Sequence, residues 1–184
     1  MAGAVKEAAT WEIRHERPED APLIEALNAA SFGPGRYAKS AYRLREGVNA
    51  VAELSFVAIE QGALRGSVRF WPVTVGAEKV LLLGPLAVQS DQRGRGIGIA
   101  LMNKGIEAAK AANYGAIILV GDEPYYARVG FAKLLPGRIT FPGPVDRARV
   151  LSLSLKPDAL ANLSGAVRRA RIDDPVCADG AALG

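Results

Sequence analysis

The sequence predicts an α+β fold built on a single mixed sheet, with an antiparallel meander first, one parallel crossover next, a closing hairpin last and helices on both faces. Three observations carry this. Three β-rich runs follow one another at hairpin distance between residues 54 and 88. A glycine-rich loop and a helical period then separate the third run from the all-apolar "AIILV", and strand, helix, strand in that order makes a crossover with a parallel pair. Two further runs, near residues 131–136 and 149–155, are joined by a loop rich in proline and glycine.

Each element has its own signal. "TWEIRHE" alternates like a short strand. In "RPEDAPLIEALNAASF" a proline and two acids open a helix with apolar residues at helical spacing. "RYAKSAYRLREG" reads as a second short helix closed by Gly47. "LSFVAIE" and "ALRGSVRFWPVTV" are strands joined by "QG", and "KVLLLGPLAV" is apolar enough for a central strand covered on both faces. Gly84 and Pro85 fit a regular ladder poorly and predict a bulge or a parting of strands. After the loop "QSDQRGR", a helix from Gly96 to Ala112 sets Ile97, Ala100, Leu101, Ile106 and Ala109 near one face. "DEPYYARVGF" begins with acids and a proline, as the first turn of a short helix does. "FAKLLP" and "RVLSLSL" close the sheet, and "KPDALANLSGAVRRARI" is expected to form one more short helix.

With 184 residues, the chain suits one well-buried core: a domain over residues 10–172, a flexible start over 1–9 and a tail over 173–184. No apolar run approaches the roughly 18 residues a membrane span needs, and the N-terminus lacks a secretory h-region, so the expected compartment is the cytoplasm, with no membrane partner. The formal charge of +4 favours an anionic ligand without demanding nucleic acid, and no stacking aromatics interleave the arginine clusters. Cys177 is the only cysteine and His15 the only histidine. Thiolate clusters and most histidine-based zinc sites are thereby excluded, and no metal is expected.

The chemistry concentrates in "QRGRGIG". A loop that leaves a central strand and enters a helix aims several unpaired N–H groups, and the positive end of the helix dipole, at one spot. Glycines let an anion approach them, so phosphate or pyrophosphate is the natural guest, and Arg93 and Arg95 add positive charge. A tight strand-to-helix turn would use the same glycines without any ligand. A P-loop needs G-x-x-x-x-G-K-[ST], which is absent. A dinucleotide loop needs G-x-G-x-x-G or A, yet its last position is Ile99 counted from Gly94 and Leu101 counted from Gly96. Asp122, after "IILVG", does imitate a ribose-binding acid, so a Rossmann-like nucleotide-binding protein stays as the alternative within this region.

The third pattern, R/Q-x-x-G-x-G/A, is filled by Arg93, Gly94, Arg95, Gly96, Ile97 and Gly98. Here the sequence resembles the GNAT superfamily of acetyl-coenzyme A-dependent N-acetyltransferases, and the resemblance spans Trp11 to Leu155. It implies the acyl-CoA N-acyltransferase fold and a pyrophosphate cradle at Arg93, Gly94, Arg95, Gly96, Ile97 and Gly98, with Ile99 close behind. It also implies that the segment Leu86, Ala87 and Val88 binds the coenzyme where two strands splay, with the backbone of Leu86 and Val88 pairing with the pantetheine arm. "PYYARVGF" is similar to the family's Y-x-x-x-G-F segment, whose tyrosine stands near the coenzyme A sulfur; that residue is Tyr126, followed by Gly130 and Phe131. A core tyrosine beside Tyr125 is the structural alternative. The wording "VGDEPYYARVGF", with "FPGPV" and "LSGAVR", is similar to the YhbS-type bacterial branch of predicted acetyltransferases.

The resemblance implies direct attack of a neutral primary amine, on a small molecule or peptide, upon the thioester of acetyl-coenzyme A in a ternary complex. Tyr126 would act as the acid and the amide of Val88 as the donor to the carbonyl. A non-catalytic coenzyme A-binding sensor is the alternative. A homodimer is compatible with either. Asp122 and Glu123 are candidates for the base or for helix caps, and Glu53 is a weaker candidate for the base. The acceptor pocket is expected between "FGPGRYAKSAYR" and residues 69–71, lined by Tyr37, Tyr42 and Trp71.

Overall fold

A computed structural model describes residues 10–170 except Pro136, and omits the side chains of Tyr37 and Ala38. The expected flexible start, the tail and Cys177 lie outside the described residues. The elements are β1 (Glu12–His15), α1 (Ala21–Phe32), α2 (Ser40–Arg43), β2 (Phe56–Glu60), β3 (Ala63–Val75), β4 (Glu78–Val88), α3 (Ile97–Ala111), β5 (Ala116–Val120), α4 (Glu123–Tyr126), β6 (Ala132–Lys133), β7 (Ile139–Thr140), β8 (Val150–Ser154) and β9 (Gly165–Arg169).

The sheet runs β1-β2-β3-β4-β5-β8-β6, antiparallel except for β4 beside β5, and it is open. The expected meander, crossover and closing pair are all present. Gln61 and Gly62 both take positive φ, +51° and +77°, the backbone of a two-residue hairpin turn that matches the strand twist. Between β3 and β4 the register passes from Val68↔Leu86 to Phe70↔Leu83, two steps on one strand against three on the other. The extra residue falls at Gly84–Pro85, the bulge that the sequence predicts.

Three expectations are corrected. "RYAKSAYRLREG" is not one helix: a 3-10 turn over Pro34–Ala38 and the four-residue α2 are separated at Lys39, whose ψ of 140° is extended. "GAVRR" is not helical but is strand β9, paired with β3 at Val73–Val75. The proline-rich loop contributes β7, which runs parallel to β9. One buried residue, Val167, anchors β9 in the core while its neighbours face outward, so the period-2 signal spans a single position.

The core lies on both faces. On one, Ile97, Leu101, Met102, Ile106 and Ala109 of α3 pack against Phe56, Phe70, Leu81, Leu83 and Ile117. The packed face is shifted slightly from the expected one: Ala100 is half-buried, whereas Met102 and Gly105 are buried. Close approach of this helix depends on missing side chains. A Cβ on Gly105 would strike the Phe70 ring, and one on Gly66 would lie 3.1 Å from both Ile97 and Leu101. Leu101 is fully buried, and truncation to Ala would cost about 2–5 kcal/mol. On the other face Ile24 and Leu27 of α1 cover Val57, Leu64 and Ala87.

Candidate active site

Helix α3 begins at Gly96, whose φ is +86°, and Gly94 just before it has φ +81°. Nothing lies within 4 Å of where a Cβ on either would stand. Both backbones therefore border open space in a conformation that side-chain-bearing residues avoid. The first helical bond joins the Ala100 N–H to the Gly96 carbonyl at 3.0 Å, so the N–H groups of Ile97, Gly98 and Ile99 precede the helical ladder. Anion-binding geometry is thus present at the predicted loop.

The two arginines differ. Arg93 is exposed. Arg95 donates to both oxygens of Glu60, at 2.7 and 3.0 Å, and also donates to Thr10 and Gln92. Its charge is therefore already matched within the protein, which corrects the expectation that both side chains serve the anion. Gly98 also has a second role: a Cβ there would strike the hydroxyl of Tyr125. Its absence seats that tyrosine against α3.

Strand β4 leads into this loop. It pairs with β5 at Leu81–Ile117 and Leu82–Ile118, beyond which β5 continues beside β8 as far as Val120–Val150. The later part of β4, containing Leu86, Ala87 and Val88, remains paired to β3 alone. Ala87 points into the α1 core, whereas half-buried Val88 lies beside the first turn of α3, 3.6 Å from where a Gly98 Cβ would stand. The splay and the helix terminus are therefore continuous.

Tyr126 ends α4, which carries Pro124 in its first turn. Gly130, at φ +98°, reverses the chain, and the Phe131 N–H returns to the Tyr126 carbonyl at 3.3 Å. The Tyr126 ring meets Tyr125 and Phe131 edge-on, with centroids 5.3 and 6.1 Å away. Burial pushes its phenol up to about 12, because the phenolate would lose its hydration; nearby Tyr125 and Asp122 push the same way. The group is a neutral donor at physiological pH. The acids that precede it are engaged elsewhere, Asp122 with Arg149 at 3.2 Å and Glu123 with Lys133 at 2.9 Å. Asp122 makes no side-chain cap to α4, so the expected capping role is replaced by an ion pair.

A cavity of about 610 Å³ opens beside this tyrosine. Tyr42, Arg69 and Trp71 line it, as do Leu83–Leu86 of the splayed strand and Tyr126. The Trp71 indole N–H donates to the Gly84 carbonyl at 2.5 Å, which fixes the bulge to β3. The side chain of Tyr37 is outside the described residues, and exposed Glu53 does not line the cavity. Sequence reasoning missed two parts of the wall. Arg45 looks like a solvated helix residue until the Gly84 bulge is folded against it. Residues 144–146 belong to the proline-rich loop and are brought in partly by the Ser40 hydroxyl, which donates to the Pro144 carbonyl at 2.7 Å.

Comparison with known proteins agrees with this architecture. The acetyltransferase (GNAT) family matches residues 21–134. The Escherichia coli K12 protein named uncharacterized N-acetyltransferase YhbS is 36% identical over 160 residues, covering 84% of this chain and 93% of its own. A crystal structure of E. coli YhbS in complex with CoA superposes with a TM-score of 0.75 at 32% identity, covering 89% of this chain and 91% of that one. A GNAT acetyltransferase from Brucella melitensis, in complex with acetyl-CoA, superposes at 0.66 with 29% identity, covering 87% and 96% of the two chains. The mostly antiparallel sheet also sets aside the Rossmann-like alternative, whose sheet is doubly wound and parallel. By sequence and by fold, this chain belongs to the GNAT family of acetyltransferases.

Proposed function

We propose that the protein transfers the acetyl group of acetyl-coenzyme A to a primary amine on a small molecule or peptide, by direct attack in a ternary complex. One observation carries the reading: Leu83–Leu86 both line the cavity and belong to the strand that β5 leaves behind, so the acceptor cavity and the coenzyme groove share one wall. The coenzyme-bound relatives support the co-substrate. Open space at Gly94 and Gly96 suits a pyrophosphate.

In this reading the backbone N–H groups from Arg93 to Ile99 hold the pyrophosphate, and the backbone of Leu86 and Val88 pairs with the pantetheine arm as an added strand would, with Ala87 between them turned to β3. Acetyl-coenzyme A supplies an activated thioester when bound. The Val88 amide donates to its carbonyl oxygen, a contribution of the kind worth about 10²–10³ in rate. Tyr126 donates its phenolic hydrogen toward the sulfur, and its raised pKa keeps that hydrogen in place. Holding amine and thioester together in the cavity removes the entropic cost of their encounter.

The test is acetyl transfer itself, by release of free thiol and by the mass of the acetylated product, across a library of primary amines. Acetylated product formed only with enzyme supports the reading. Tight coenzyme binding without transfer to any amine would instead make the protein a coenzyme sensor.

A further inference from the structure

Among the described residues, Arg45 is a guanidinium without a counter-ion. Of the arginines that line the cavity, Arg36, Arg69 and Arg149 each meet a carboxylate, and Arg45 does not. Its Nε is buried with no hydrogen-bond partner. The guanidinium carbon lies 5.9 Å from the centre of the Trp71 ring, and Nη2 lies 2.8 Å from where a Cβ on Gly84 would stand. Any residue but glycine at 84 would displace it. The neighbouring cation, Arg69, is already paired with Glu16 at 2.5 Å.

A half-buried cation whose Nε is shut off from water without a partner is costly to keep. It becomes favourable once a ligand brings the missing anion, and a guanidinium fork matches a planar carboxylate. The coenzyme is a poor source, because its phosphates belong at the α3 terminus, and none of Arg93–Ile99 lines the cavity. Only Pro85 separates Gly84 from Leu86, so their Cα atoms are at most about 7 Å apart. An anion held at Arg45 and an acetyl carbonyl held near Leu86–Val88 are therefore close enough to be bridged by one small molecule.

We infer that the acceptor is a small amino acid, and that Arg45 binds its carboxylate so that its amine faces the thioester. This rests on the acetyltransferase reading above. Lys39, the other lining cation that meets no carboxylate, is exposed and lies over the Phe32 ring, so the planar fork of Arg45 is the partner offered to an anion inside the cavity, and a fork suits a carboxylate.

The experiment compares kcat/KM for a panel of L-amino acids with kcat/KM for their primary amides, by thiol release at saturating acetyl-coenzyme A. Amides have the more readily deprotonated amine, so intrinsic reactivity favours them. We expect the enzyme to reverse that order and prefer its best amino acid by about 100-fold. Arg45→Met should collapse the preference to less than threefold, mostly through KM. Arg45→Lys, which keeps the charge and loses the fork, should fall between. Calorimetry with acetyl-coenzyme A on each variant reports whether the fold survives. Equal use of acids and amides by the wild type, turnover of neither, or a preference that survives in Arg45→Met would each overturn the inference. Failure of coenzyme binding in the wild type would instead remove the acetyltransferase reading beneath it.

Discussion

Arg95 grips Glu60 with both ends of its guanidinium, Nη2 to Oε1 at 2.7 Å and Nη1 to Oε2 at 3.0 Å, and so ties the glycine loop to the end of β2. Helped by a hydrogen bond from Thr10, the pair holds the Glu60 carboxyl at about 2, well below its ordinary 4.5. The glycine loop is therefore braced from the sheet. Arg93 keeps its exposed charge at the outer lip.

That pairing sets a pH dependence. Because the folded value is depressed, the stabilisation is complete above pH 4.5 and lost as pH falls toward about 2. In thermal melts, Glu60→Gln should lower the Tm by a constant amount above pH 4.5, and the gap to wild type should close between pH 4.5 and 2. A gap that stays constant down to pH 2 would mean that Glu60 acts without its charge.

Tyr125 and Gly98 give a packing prediction. Gly98→Ala should destabilise the fold by about 1–2 kcal/mol through overpacking against the tyrosine hydroxyl. The Tyr125 ring carbon that bears that hydroxyl lies 3.5 Å from the same Cβ position, an ordinary contact. In a Tyr125→Phe background the same alanine should accordingly cost about 0.5 kcal/mol or less, a coupling that a double-mutant cycle by urea denaturation resolves.

Much of this arrangement was legible in the chain. Local signals sufficed for the meander, whose turn at Gln61–Gly62 is written in two residues, and for the crossover, where a run of glycines meets a helical period. The bulge at Gly84–Pro85 was visible because both residues disrupt a ladder. What was hidden depends on distant partners. β9 gains its strand character from the overhanging end of β3, nearly a hundred residues earlier. Arg45 became part of a site only when β4 brought Gly84 against it, and Arg95 found Glu60 across 35 positions of sequence.

For Tyr126, replacement by Phe should lower kcat by about 10²-fold while coenzyme affinity changes less than twofold, as expected for a hydrogen bond made mainly in the transition state. Its phenol stays protonated to about pH 12, so no alkaline loss of kcat below pH 10 should trace to this group. Steady-state profiles of both proteins check this. Gly121→Ala, whose Cβ would strike the Tyr126 ring, should lower kcat in the same direction without removing the hydroxyl.

At the helix terminus, Gly96→Val forces a β-branched residue into a left-handed backbone at φ +86°, a strain of roughly 1–2 kcal/mol, and fills the space left for the anion. The variant should remain folded by circular dichroism and lose acetyl-coenzyme A affinity by at least tenfold. Intact affinity would separate the glycine loop from the pyrophosphate.

The most direct measurement is calorimetric titration of the wild-type protein with acetyl-coenzyme A, NAD and ATP in turn. A loop leading from a splayed strand, with open glycines before α3, should bind acetyl-coenzyme A with single-site stoichiometry and at least 100-fold more tightly than either nucleotide. Equal or tighter binding of NAD or ATP would contradict the assignment of this site to coenzyme A.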